Sequence, residues 1–169
     1  TVDTTVTIAA TSQTGAATET NSIVTGSGDD TVTYTDTGWV GVAGAAGGTF
    51  AIDTNAGDDT IALTVGTLVQ DTTANFITVT GGAGQDTITK VGTNADDAVG
   101  VVGHVTFEFA AGDSNTVDYD TITGFDLNAA ALVSDELDFE GTAAITDFTA
   151  TEDAAVIKSH SVTAGVVSF

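Results

Sequence analysis

Cysteine is absent from all 169 residues. Disulfides and zinc–thiolate sites are thereby excluded, and thiol redox chemistry with them. Basic residues are almost as scarce: two stand against 24 Asp and Glu, giving a formal net charge of -22. A surface of that sign repels nucleic acid and bare anionic membrane alike and attracts cations. No run approaches 18 apolar residues, so no membrane insertion is expected. Catalytic signatures are missing as well. There is no G-x-S-x-G, no H-E-x-x-H around His104 or His160, and no Arg to hold a phosphate or carboxylate. Glu108 and Asp118 could be paired as glycosidase acids are, but acids are so frequent that such a pair arises by chance. The chain reads as a non-enzyme.

Hydrophobic residues make up 41% of the chain, enough to bury a core. Nineteen of the acids are Asp and five Glu, which places them in turns rather than helices. Frequent Thr, Val and Ile with 20 Gly suit strands joined by tight turns, so the expected fold is all-β. Alternating apolar and polar residues mark strands in TVTIA near Val6, DTVTYT, GTFAID, DTIALTV, NFITVT, DTITKV, VTFEFA and DTITGFDL. Only LNAAALVSDEL, residues 127–137, could form a short helix, and a loop suits it equally. The Gly-rich TGWVGVAGAAGGT at 37–49 lacks the Lys and helix of a phosphate cradle and reads as a loop.

Aligned on Asp-Thr-apolar, Asp30, Asp59, Asp86 and Asp120 fall in register at separations of 29, 27 and 34 residues. Each unit reads strand, Gly/Asp turn, strand, longer return. Such units bury an apolar face by stacking, so the expectation is a repeat-built β-solenoid, β-roll-like, or a stacked sandwich-like coil. One module is expected over 1–169, with the turns in 24–126 and a β-rich C-terminal cap in 127–169. In these turns Gly permits positive φ, the Asp offers a carboxylate to a hard cation, and the apolar residue two positions on anchors the next strand. The alternative is ordinary Asp-Gly hairpin chemistry, in which Asp caps its own backbone and no ion is needed. Adjacent carboxylates in two of the turns favour the cation, because like charges that close repel without one.

GGAGQDTIT, residues 81–89, satisfies the nine-residue pattern G-G-x-G-x-D-x-U-x, U being a large apolar residue, and resembles the calcium-binding RTX repeats. TGSGDDTVT at 25–33 and TNAGDDTIA at 54–62 are degraded copies. The spacing departs from consecutive nonapeptides, with one turn about every 28 residues. The resemblance implies several calcium ions shared between stacked turns. Asp30, Asp59 and Asp86 would be side-chain ligands, with carbonyls around Gly26, Gly28, Gly57, Gly82 and Gly84. Asp29 and Asp58 would add field or outer-shell contacts, and Asn55 belongs to the second turn's candidate set. In the fourth unit Asp113, Asp118, Asp120 and Asp126 form an ambiguous set. DTITGFDLNAAALVSDELDFEG, residues 120–141, is similar to the end of RTX arrays, and AGVVSF is compatible with an uncleaved type I secretion signal. TVDTTVTIAATSQTG, with neither Met nor a basic signal region, is what a fragment or processed product would show.

The resemblance extends to acidic, Thr- and Gly-rich, Cys-free bacterial surface-layer proteins. It implies an extracellular, cell-surface structural module that calcium folds and joins to copies of itself in a lattice or filament. Competing expectations are a calcium-dependent adhesin domain binding cell-surface glycan or ice, and the noncatalytic RTX secretion domain of an exported hydrolase. Pairs such as Thr31 with Thr33, Thr78 with Thr80 and Thr87 with Thr89 are either a ligand face or solvated strand faces. Trp39, Tyr34 and Tyr119 could stack on sugar or serve packing. Lys90 and Lys158 are expected to pair with acids or mark a subunit contact.

Overall fold

The computed structural model describes residues 1–10, 20–36, 49–69, 76–95, 104–110, 113, 118–125, 135–139, 161–163 and 166–168. Strands are β1 Thr5–Ala10, β2 Thr20–Val24, β3 Thr31–Asp36, β4 Thr49–Asp53, β5 Thr60–Val69 and β6 Phe76–Thr80. They continue as β7 Thr87–Ala95, β8 His104–Phe109, β9 Thr121–Thr123, β10 Glu136–Phe139, β11 Ser161–Thr163 and β12 Val166–Ser168. No helix occurs among the described residues. The all-β expectation holds, and every strand read from alternation is present. Of the segment 127–137 that could have formed a short helix or a loop, 127–134 lie outside the described residues, and Glu136 and Leu137 open strand β10 instead, because the alternating ELDF pairs with β8.

Two sheets alternate along the chain. One runs β1-β3-β5-β7-β9 in parallel and is then closed by the antiparallel pair β12-β11. The other, β10-β8-β6-β4-β2, is parallel throughout. Residues 25–30, 54–59 and 81–86 therefore carry the chain from the second sheet to the first. They do not close hairpins, since the strands they join lie in different sheets. Pairing continues through them: Ser27 bridges Ala56, and Ala56 bridges Ala83.

The repeated Thr-apolar-Thr explains the register. Val6, Val32, Ile61, Ile88 and Ile122 stand opposite one another across five strands. Ile23, Ile52, Val79 and Phe107 make the matching column in the second sheet. Both columns face the interior, where each fully buried Ile, Val or Phe contributes about 1.5–3 kcal/mol. Tyr34 fills the same core and stacks on Phe50 at 4.2 Å, so it is a packing residue rather than a sugar platform. Trp39 and the Gly-rich 37–48 lie outside the described residues.

One charge pair breaks this apolar interior. Lys90 occupies the inward column of Tyr34 and Leu63, and its Nζ lies 2.8 Å from Asp135 Oδ2 with both side chains fully buried. Asp135 Oδ1 also accepts the Val105 N–H at 3.0 Å. The pair ties β7 of one sheet to the residue leading into β10 of the other, as expected for Lys90; Lys158 is outside the described residues. Breaking a buried pair strands one charge, so Asp135→Ala should cost about 3–5 kcal/mol. Urea unfolding should show that loss, and Lys90→Met with Asp135→Leu should recover most of it.

Candidate metal centre in the stacked turns

A parallel strand arrives in each turn one strand spacing, about 4.8 Å, from its neighbour. Equivalent Asp residues are thereby stacked. Asp30, Asp59, Asp86 and Asp120 are all buried, none more than 1% exposed, and each accepts an N–H from the turn before it. Thr4 N–H donates to Asp30 Oδ1 at 2.6 Å, and Asp30 N–H to Asp59 Oδ1 at 2.6 Å. Asp59 N–H donates to Asp86 Oδ1 and Asp86 N–H to Asp120 Oδ1, both at 2.9 Å.

The preceding acid makes a second, exposed ladder of opposite sense. Asp29 N–H donates to Asp3 Oδ1 at 3.2 Å, Asp58 N–H to Asp29 Oδ1 at 3.1 Å, and Gln85 N–H to Asp58 Oδ1 at 2.9 Å. Two adjacent carboxylates thus point to opposite sides of the backbone and bond to opposite neighbours. Asp29 and Asp58, expected to add field or outer-shell contacts, are backbone acceptors between turns. Asp3 and Thr4 were missed, although VDTTVT at 2–7 parallels GDDTVT at 28–33.

The second oxygen of each buried carboxylate differs from turn to turn. Asp30 Oδ2 accepts the Gly26 N–H at 3.2 Å. The Thr25 hydroxyl, foremost, and the Thr4 and Gly26 N–H groups hold Asp30 below the usual carboxylate range against its burial. Burial lifts Asp59 instead, opposed by the Asp30 N–H and the nearby Thr54 hydroxyl. That hydroxyl donates its single proton to the Gly81 carbonyl at 2.8 Å, and Asp59 Oδ2 is buried with no hydrogen-bond partner. In the third turn Gly81 stands where Thr25 and Thr54 stand in the others, and no hydroxyl is available. Asp86 Oδ2 is likewise buried without a partner. Desolvation first, then the charges of Asp120, Asp59 and Asp58, push Asp86 up to about 7.

Glycine at the motif's fourth position is required by this stacking. A Cβ on Gly57, at φ 143°, would lie 2.1 Å from the Gly28 carbonyl oxygen, and one on Gly84 2.0 Å from that of Gly57. Gly82, at φ 92°, approaches the Asn55 carbonyl in the same way, whereas Gly26 faces open space. Asn55, at φ 64°, ties its turn to the preceding one by donating Nδ2–H to the Thr25 carbonyl at 2.7 Å.

The fourth unit is built differently. Asp113 caps its own turn by accepting the Ala110 N–H at 2.6 Å, Asp118 is exposed, and Asp126 lies outside the described residues. Only Asp120 of that set joins the column. Among the described residues no three acidic or imidazole side chains converge on one point. A hard cation held here would draw on the free oxygens of Asp59 and Asp86 together with backbone carbonyls, a donor set calcium accepts.

Family models, curated proteins and solved structures each return no match to this chain.

The titration of Asp86 sets a pH dependence. Its folded value of about 7 exceeds the ordinary 3.8, so the folded chain holds the extra proton between those values and stability falls as pH rises across that window. Asp59, also raised, acts in the same sense; Asp30, lowered, acts oppositely, losing stability as pH falls below 3.8. Without divalent ions, the melting temperature should drop from about pH 4 to about pH 7, and Asp86→Asn, which keeps the acceptor but cannot ionise, should flatten the slope. Scanning calorimetry in EGTA reads both.

Proposed function

We propose that this chain is an RTX-type, calcium-dependent β-solenoid that serves as an extracellular structural module and assembles with copies of itself at a cell surface. The observation that carries the proposal is the buried aspartate column, in which Asp59 and Asp86 each leave one carboxylate oxygen without a hydrogen-bond partner. Backbone capping explains one oxygen of each residue and leaves the other unaccounted for. Two unit charges one strand spacing apart repel by about 3 kcal/mol at an effective dielectric of 20. A cation between turns reverses the sign of that interaction and supplies the missing partner.

Sequential strands alternating between two parallel sheets, one Gly/Asp turn per circuit, favour the solenoid over a sandwich-like coil. The same turns carry the resemblance to RTX proteins, and the composition carries that to surface-layer proteins. Secretion by a type I route accords with the C-terminal resemblance over 120–141. Self-association has a geometric basis as well: among the described residues β1 pairs only with β3 and β2 only with β4, leaving one edge of each open. Two surfaces this acidic need a bridging ion to meet, since salt screening weakens repulsion without reversing it.

Calcium should raise the melting temperature well above that in EGTA, with dissociation constants on the order of 0.1–1 mM. Asp86→Ala should weaken the titration, and Asp36→Ala, outside the turns, should not. Equal melts and no heat of binding would remove the calcium reading. Light scattering should rise with calcium, far less with magnesium, and not with sodium chloride at equal ionic strength. Equal scattering in all three would leave screening as the whole explanation of any assembly.

A further inference from the structure

We infer that the outer face of the sheet β1-β3-β5-β7-β9 is a binding face for the ordered water of an ice surface. Thr5, Thr31, Thr60, Thr87 and Thr121 stand in register across the five strands, and Thr7, Thr33, Ala62, Thr89 and Thr123 form a second column two residues on. All ten positions are exposed or half-exposed. Neighbours lie about 4.8 Å apart across the strands and about 6.6 Å apart along them. The result is a rectangular net of hydroxyl and methyl groups whose shorter edge, repeated across five strands, is close to an oxygen repeat on the prism plane of hexagonal ice.

Threonine is suited to hold such a net. Its β-branch restricts χ1, so hydroxyl and methyl keep their places and little rotamer freedom is lost on contact with a rigid lattice. Identical side chains in register also favour a flat sheet over a twisted one.

Strand propensity accounts for Thr here but not for what is missing. In a chain with 24 acidic residues, neither column contains a charge. A third outward set, Ala9, Thr35, Thr64 and Val91, is equally uncharged. The outer face of the other sheet follows the usual pattern for a solvated surface, with Asp53, Glu108 and Asp138 in register beside Val24 and Thr80. Among the described residues these five strands present no aromatic platform for sugar: Tyr34, the one aromatic in them, is buried against Phe50, and the exposed Tyr119 lies outside the strands, two residues before Thr121. The threonine columns, bordered at the turns by exposed Asp29, Asp58 and Tyr119 but themselves uncharged, non-aromatic and periodic, fit crystalline water better than a glycan. Its geometry does not depend on which ion, if any, occupies the turns.

The test is partition of the full chain, in calcium buffer, between slowly grown ice and liquid, with crystal shape and thermal hysteresis read in parallel. The chain is expected to enter the ice and facet the crystals. Thr60→Tyr and Thr89→Lys should abolish both effects, while Thr78→Tyr on the other sheet should leave them intact; circular dichroism restricts the comparison to variants that stay folded. Rejection of the parent chain from ice would overturn the proposal, as would equal loss in Thr78→Tyr. Retention on chitin or cellulose through the same threonines, with no effect on ice, would overturn it in favour of a glycan ligand.

Discussion

Consecutive turns exchange hydrogen bonds through paired aspartates, and the rest of the architecture depends on that exchange. The inner carboxylate takes the N–H of the turn before, as Asp59 takes that of Asp30. The outer one takes the N–H of the turn after, as Asp29 takes that of Asp58. Each junction is thus held in both directions, and the backbone donors of an otherwise irregular turn are satisfied. Turns stacked at one strand spacing leave no room for a side chain at Gly57 or Gly84. They also deliver every following strand in the same register, which aligns Val32, Ile61, Ile88 and Ile122 in the core.

That solution concentrates negative charge inside the molecule. A carboxylate that caps an N–H with one oxygen still needs a partner for the other, and the three regular turns differ in supplying it. The Gly26 N–H serves Asp30, beside a Thr25 hydroxyl that also donates to the Thr54 carbonyl at 3.2 Å. Asp59 has the Thr54 hydroxyl beside it, but that proton goes to Gly81. Asp86 has only a glycine at the corresponding position. The turn with the complete repeat motif is therefore the one least able to neutralise its own carboxylate, which is where an external cation would contribute most. At the other end of the interior the opposite arrangement occurs: Lys90, buried, is neutralised by Asp135 from the second sheet.

The two outer faces show how sharply this acidic chain sorts its charge. Acids occupy turns and the outer face of β4, β8 and β10, while the threonine net between the turns carries none. The threonine pattern recurs on all five strands of its sheet, so it is a property of the repeat, whereas the acids of the other face fall on three of its five strands.

Alternation was enough to locate eight strands, and the Asp-Thr-apolar spacing was enough to align the turns and identify Asp30, Asp59, Asp86 and Asp120 as equivalent. Those are local signals, with periods of two and of about 28 residues, and they survive in one dimension. β2, β11 and β12 escaped notice because their segments carry too little alternation to stand out, and β10 was suggested only by the resemblance over 120–141. Asp3 escaped because its turn lacks the glycines. What tertiary structure alone decided is where each carboxylate points. Asp29 and Asp30 are neighbours with the same chemistry, yet one is exposed and the other buried, and each bonds to a different turn. Partners 26 and 29 residues away set that difference. The pairing of Lys90 with Asp135, 45 residues apart, is of the same kind, since only stacking of one sheet on the other brings the two charges together.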